Sequence, residues 1–352
     1  MEPGIRTEGA LKPRMREGSA ADIMSGALAL SVVVPCHNEA QALPALLDRL
    51  IPAAEAASDG VFEIVLVDDG STDDTAALML RLQQAEPRLA VMILSRNFGH
   101  QAALSAGLDA ACGQRVLFID ADLQDPPELL GEMMARMDAG ADVVYGRRSS
   151  RPGDTVFKSV SARLFYRLLA RIADVDLSRD SGDFRLISAR VADVLRTMPE
   201  HHRYMRGLVS WAGFRQEPVD YVRTPRTAGE TKYPLARMIR FGADAITGFS
   251  VMPLRLATWL GFSFAGVASL IFLYVLASWA MGASVQGWPS LMATVLLMGS
   301  VQLIVVGILG EYLGRLYIQS KGRPLYIVDR MVRTIDAPVR GQASAESANP
   351  RS

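Results

Sequence analysis

The sequence predicts an α/β domain with a mostly parallel sheet, followed by amphipathic helices and a two-helix transmembrane hairpin. Between residues 28 and 145, short apolar runs alternate with helically spaced segments, and several runs close on a polar cluster. Residues 256–280 and 281–310 carry no charged side chain. Between these regions lie stretches with apolar residues on one face and basic residues on the other. Strand and helix alternating in this way build parallel βαβ units, whose ligand sites lie outside the carboxyl ends of the strands.

Residues 1–27 mix Gly, Pro, Arg and Glu without periodicity and read as a mobile tail. The first apolar run, Ala27 to Val34, enters Pro35-Cys36-His37-Asn38-Glu39 with no small-residue cleavage pattern, so it is a first strand and not a signal peptide. A helix over Leu43 to Leu50 and a strand over Phe62 to Val67 follow. The strand ends in Asp68-Asp69-Gly70-Ser71-Thr72-Asp73-Asp74, where Ser71 or Thr72 can cap the next helix. Val91 to Leu94 is a third strand, Arg96 to Gly99 a turn, and Gln101 to Ala111 a helix. Val116 to Ile119 is a strand that stops at Asp120-Ala121-Asp122-Leu123-Gln124-Asp125-Pro126-Pro127, because proline cannot continue a ladder.

Asp142 to Tyr145 is a further strand, followed by Gly146-Arg147-Arg148. Residues 155–174 read as a basic amphipathic helix, which suits either ordinary docking on the domain or a membrane surface, the second reading being raised by the apolar crossings nearby. Ser181 to Leu186 returns to the crevice, and another helix precedes His201. A basic loop, Arg223 to Tyr233, leads into an amphipathic stretch over 234–250. The expected organisation is a tail over 1–27, an α/β domain over 28–233, an interface helix over 234–253, a hairpin over 254–318 with crossings at 256–280 and 290–312, and a C-terminal segment and tail over 319–352.

Each crossing has the roughly 20 apolar residues needed to traverse a hydrocarbon core. Gly282, Gly287, Trp288 and Pro289 supply the turn. That turn has no Lys or Arg, whereas Arg237, Arg240 and Arg255 precede the hairpin and Arg315, Lys321, Arg323 and Arg330 follow it. Both ends therefore face the cytoplasm, which places the α/β domain on the inner face of the plasma membrane. Glu311 is expected to pair with Arg315 at helical spacing. Gly261, Gly266, Gly299 and Gly307 permit close helix packing, and hence a homo-oligomer.

The 352 residues carry zero formal net charge, so nothing at chain level favours nucleic acid. The two cysteines, Cys36 and Cys112, have no metal-ligand spacing and read as core residues in a reducing compartment.

A strand ending in Asp-x-Asp sets two hard oxygen ligands, Asp120 and Asp122, beside a sheet edge, with Gln124 two positions on. That suits Mg²⁺ or Mn²⁺, which take one or two carboxylates and leave the remaining positions to water and substrate phosphate. Asp68 and Asp69 at a neighbouring strand end can accept hydrogen bonds from a base or ribose, with Pro35, His37 and Glu39 as the other wall. This is the layout of a nucleotide-sugar site, in which a cation neutralises a leaving diphosphate. Neither standard Gly-rich phosphate loop is present, so metal and basic side chains have that task.

The strings Val33-Val34-Pro35-Cys36-His37-Asn38-Glu39, Val67-Asp68-Asp69-Gly70-Ser71 and Asp120-Ala121-Asp122-Leu123-Gln124-Asp125-Pro126-Pro127 together resemble family 2 glycosyltransferases of GT-A fold. More narrowly they are similar to polyprenyl-phosphate glycosyltransferases, over about Ser31 to Tyr326. The resemblance implies nucleotide-sugar contacts from Pro35, His37, Glu39, Val67, Ala121 and one or both of Asp68 and Asp69. It implies metal or diphosphate contacts from Asp120, Asp122 and Gln124. Arg148 and Arg185 match arginines used around the phosphates, and Arg226 and Lys232 match a stretch that closes over donor and acceptor. His37 stands where several relatives have Tyr. Asp125 is a candidate for orienting sugar or acceptor. The activity implied is inverting transfer from a nucleotide sugar, UDP favoured over GDP, to a polyprenyl phosphate. The alternatives are a processive polysaccharide synthase, whose Gln-x-x-Arg-Trp motif is absent, and a non-catalytic scaffold or translocase subunit.

Overall fold

The computed structural model describes residues 28–148, 181–201, 203–222, 252–281 and 287–334. The helices expected over 155–174 and 234–250, and both tails, lie outside these. So do Arg226 and Lys232.

The first half folds as the alternation requires. β1 (Leu30–Cys36), β2 (Phe62–Asp68), β3 (Leu89–Leu94) and β4 (Arg115–Phe118) run parallel in the order β4-β1-β2-β3. Their residues are almost all buried, because helices cover both faces, and strands so covered read as unbroken apolar runs. α1 (Leu43–Ala57), α2 (Thr75–Ala85) and α3 (His100–Ala110) are the connecting helices. α4 (Leu130–Asp138) follows a short 3₁₀ turn, Pro127–Leu129, that the Pro pair opens.

The second half extends the sheet with mixed polarity. β5 (Val143–Arg148) and β6 (Ser181–Ser188) pair antiparallel, and β6 also lies antiparallel to β4. α5 (Ala189–Thr197) and α6 (Met205–Trp211) lead to β7 (Gln216–Tyr221), which runs parallel to β5. After the hairpin, β8 (Val328–Val332) joins β3 antiparallel. The whole order is β7-β5-β6-β4-β1-β2-β3-β8, so β7 and β8 are the opposite edges.

α3 lies so close to the sheet that a Cβ on Gly107 would come within 2.2 Å of Val33 Cγ1. Gly107→Ala is therefore expected to overpack this layer and to destabilise the chain by about 1–3 kcal/mol, read from equilibrium unfolding in detergent. Cys36 and Cys112 are both free thiols buried in the domain.

The C-terminal segment, set apart from the domain in the sequence reading, is in fact stitched into it. Arg333 donates to Glu63 Oε2 at 2.5 Å and to the Ala110 carbonyl at 2.7 Å. Glu63 is buried and also accepts from the Ser31 hydroxyl at 2.6 Å and the Cys112 N–H at 2.9 Å. Tyr326 donates to Asp109 at 2.8 Å.

α7 (Met252–Ala280) and α8 (Trp288–Ser320) are both long and apolar enough to cross a membrane. Trp288 and Pro289 begin α8 instead of making the turn, because proline at the first helical positions forfeits no intrahelical bond. Arg315 reaches Glu311 at 3.3 Å, as expected. At the end of α8, Gln319 donates to the Pro199 carbonyl at 2.5 Å and accepts from the His201 N–H at 2.8 Å. The helix is thereby fastened to the loop after α5.

Candidate active site

The carboxyl ends of β1, β2 and β4 and the first turn of α3 surround a cleft of about 360 Å³. Its walls include Pro35, His37 and Glu39, then Asp69, Asn97 and His100, then Asp120, Ala121 and Asp122. Three strand ends meet here because the parallel register brings Cys36 opposite Asp68 and Val33 opposite Phe118.

The loops forming the walls are laced together by short polar side chains. Asn38 takes a positive φ of 59°, which asparagine tolerates, and its Oδ1 accepts the Thr72 N–H at 2.8 Å and the Asp73 N–H at 3.3 Å. The Asn38 N–H donates to the Ser71 hydroxyl at 2.9 Å. Ser71 and Thr72 thus bind the β1 loop and do not cap α2. Asp73 accepts the Thr75 N–H at 3.0 Å instead.

Asp69 accepts the N–H groups of Phe98 and Gly99 at 2.7 and 3.0 Å, so its carboxylate holds the loop before α3. Its carbonyl accepts from His37 Nδ1 at 2.9 Å, which fixes that tautomer. Gly70 has a φ of 61°, and a Cβ there would lie 2.4 Å from the Arg96 carbonyl carbon, so only glycine fits. Asp68 is buried behind the cleft wall, with the Ser71 N–H at 3.3 Å from its carboxylate, and burial raises its pKa. The Val67 side chain is fully buried in the apolar layer under α3, away from the cleft. These positions differ from an open pair of acceptors because backbone N–H groups need partners once the loops close.

Asp120 and Asp122 do share the cleft. Asp120 is 28% exposed, yet its Oδ1 is buried and has no hydrogen-bond partner among the described residues. Burial, and then the nearby Asp183, Asp125 and Asp122, push its pKa up to about 6 against the opposing pull of His100. Gln124 is buried and is not in the cleft lining; its N–H donates to Asp122 Oδ1 at 3.2 Å. Among the described residues no three His, Cys, Asp or Glu side chains gather to hold a metal by themselves. Two carboxylates, one with an orphaned inward oxygen, in a locally anionic cleft still fit a divalent cation whose other ligands are water and substrate phosphate.

Sequence reasoning missed His100 and did not single out Asp183. His100 begins α3 and sets Nε2 3.3 Å from Asp183 and 3.6 Å from Asp120. Burial disfavours its charge, but the Asp183 hydrogen bond and the Asp120 charge outweigh it and raise its pKa. Burial likewise opposes the Asp183 charge, while His100, Arg206 and Arg185 hold its carboxyl well below the usual range. Arg206 approaches Asp183 Oδ1 at 3.5 Å. The only sequence signal for His100 was its place just beyond a parallel strand's carboxyl end.

Arg185 is buried in β6, where desolvation lowers its pKa to about 10. It donates to the Gly182 carbonyl at 3.0 Å, is not in the cleft lining, and its charge helps hold the Asp183 carboxyl ionised. Arg148, at the end of β5, donates Nε to the Tyr221 hydroxyl at 3.3 Å, and that hydroxyl donates to Asp125. Arg147 pairs with Asp220 at 2.6 Å on the surface.

A model of the family described as glycosyl transferase family 2 matches residues 31–196. The chain is 42% identical over 308 residues to an uncharacterized glycosyltransferase of Bacillus subtilis, covering 87% of this chain and 95% of that one. It is 39% identical over 306 residues to the prophage bactoprenol glucosyl transferase homolog of Escherichia coli, covering 86% and 99% respectively. It is 40% identical over 303 residues to the bactoprenol glucosyl transferase of Shigella phage SfV, covering 85% and 97%.

Proposed function

The chain belongs to glycosyl transferase family 2 and is a glycosyltransferase, and on that premise we propose that it moves a sugar from a UDP-sugar, glucose in the first instance, to polyprenyl phosphate at the cytoplasmic face of the plasma membrane. The observation that carries this reading is identity near 40% with bactoprenol glucosyl transferases over nearly their full length. That match extends past the α/β domain into the region of the hairpin, where Trp259, Phe262 and Leu303 are more than two-thirds exposed in the isolated chain and suit contact with lipid.

The nucleotide would lie in the cleft whose walls include Pro35, His37, Glu39 and Asp69. Asp120 and Asp122 would hold Mg²⁺ or Mn²⁺, which when bound supplies charge neutralisation for the departing diphosphate. The lipid phosphate is the nucleophile. Its second pKa is roughly 6, so at neutral pH it is already mostly dianionic and needs little from a general base. What it needs is positive charge, which Arg148, Arg226 and Lys232 would supply by their match to the family's phosphate-binding positions. Attack on the anomeric carbon from the side opposite the nucleotide inverts its configuration, and the C–O bond to the diphosphate breaks as the new C–O bond forms.

The test is to incubate the purified protein with a panel of UDP- and GDP-sugars, undecaprenyl phosphate and Mg²⁺ or Mn²⁺, and to identify the glycolipid by mass. One hexosyl group added to the lipid phosphate from UDP-glucose is the expected product. A ladder of longer products would indicate a processive synthase. No product from any donor would leave a scaffold or translocase subunit.

A further inference from the structure

Tyr221 is the last residue of β7 and pairs in register with Arg148, the last residue of β5. Its ring is held tightly. It meets Phe184 edge-on, with centroids 6.0 Å apart and planes at 74°. It also fills the space left by Gly146, where a Cβ would lie 2.8 Å from Tyr221 Cε1 and 2.7 Å from Phe184 Cδ1. A ring so fixed sets its hydroxyl at one point.

That point lies between opposite charges. The hydroxyl accepts from Arg148 Nε at 3.3 Å and donates to Asp125 Oδ1. Asp125 is 1% exposed, so its position is set by these contacts and not by solvent. Burial, and then Asp125, raise the phenol pKa to about 12, which keeps it a donor at neutral pH. Burial opposes the Arg148 charge, but the Tyr221 hydrogen bond and the fields of Asp125 and Asp120 outweigh it. A direct fork between Arg148 and Asp125 would commit two guanidinium N–H groups to the carboxylate. A phenol placed between them takes one of the five. Bare backbone also matters here: a Cβ on Gly182 would lie 2.8 Å from Arg148 Nη2.

We infer that the Tyr221 hydroxyl is a positioning group, which ties Arg148 to the buried Asp125 carboxylate in fixed register so that the guanidinium meets the acceptor phosphate. This rests on the reading of Arg148 and Asp125 given above. Tyr221 touches neither reacting atom; it acts through its two neighbours.

The test is Tyr221→Phe, which keeps the clamped ring and deletes the hydroxyl, with Asp125→Asn and the double variant. Transfer from UDP-glucose to undecaprenyl phosphate gives kcat, and calorimetry with UDP and Mg²⁺ gives donor affinity. The expected result is a kcat lowered about 10- to 100-fold in Tyr221→Phe, the worth of one hydrogen bond to a charged group. UDP affinity stays within about 2-fold, and the double variant is no slower than Asp125→Asn alone, as for residues that act as one unit. A merely structural contact would instead lower the thermal midpoint and UDP affinity while leaving kcat per folded site intact, and that outcome overturns the inference. So does an additive double variant. Should Phe at 221 fail to fold, the isosteric Asp125→Asn reads the same contact from its other end, and unchanged kcat there overturns the inference too. If wild type transfers to no lipid phosphate, the functional reading falls and takes this one with it. If wild type and Asp125→Asn behave as expected and Tyr221→Phe matches wild type, only the inference falls.

Discussion

Asp122→Asn is expected to lower sugar transfer by about 10²- to 10³-fold, the scale on which removing one group that stabilises developing charge slows an enzyme. Asp120 and Asp122 are the two carboxylates that the β4 end presents in the cleft, and among the described residues no group of three His, Cys, Asp or Glu side chains is arranged to hold a metal. Losing one leaves a single chain-supplied anionic ligand for a hard cation. Product formation across a Mn²⁺ titration checks the loss, and Mn²⁺ binding followed by electron paramagnetic resonance should weaken in parallel. Unchanged transfer by Asp122→Asn would remove the metal role.

Asp120→Asn should lose activity similarly and yet stabilise the metal-free protein. The Asp120 carboxyl has a folded pKa raised to about 6, above the ordinary value of about 4. Its protonated form is therefore favoured by folding, a contribution fully present below the unfolded pKa and lost as pH rises through 6. At pH 7 and without metal the ionised group costs about 3 kcal/mol, which the amide avoids. Thermal melts in chelator should place Asp120→Asn above wild type at pH 7 and level with it near pH 4. That outcome would fit a carboxylate kept at a cost to stability for a function.

The second large effect lies far from the chemistry. Arg333→Ala is expected to destabilise the full chain by about 3–5 kcal/mol, because it strands the buried Glu63 carboxylate. Equilibrium unfolding in detergent measures it. Pairing Arg333→Met with Glu63→Gln should recover most of the loss, since a buried ion pair replaced on both sides leaves no lone charge. A single variant as stable as wild type would mean that β8 contributes nothing to the domain.

Much of this architecture was legible in the chain. β1 to β4 are buried on both faces and so appear as continuous apolar runs, and Asp120 and Asp122 stand out because they end one of them. β8 did not stand out: Val328-Asp329-Arg330-Met331-Val332 is an exposed edge strand, and its apolar and charged residues carry no burial pattern. α6 is a single short element between loops. At the site, the cluster of strand-end residues was readable from the βαβ rule, but His100, Asp183 and Tyr221 were not singled out. Their roles come from contacts across 83 and 96 residues of sequence, which no local spacing encodes. Asp68 and Asp69 illustrate the converse. Their residue type suggested ligand contacts, and the fold adds a task that residue type does not announce, since both carboxylates also accept backbone N–H groups.

The hairpin is inserted between β7 and β8, the two outermost strands. The chain therefore leaves the sheet after one of these strands and returns to it at the other. On the β8 side the attachment is short, residues 321–327, and braced by Gln319. With so few residues between them and that brace, the end of α8 and the β8 edge are leashed to one another.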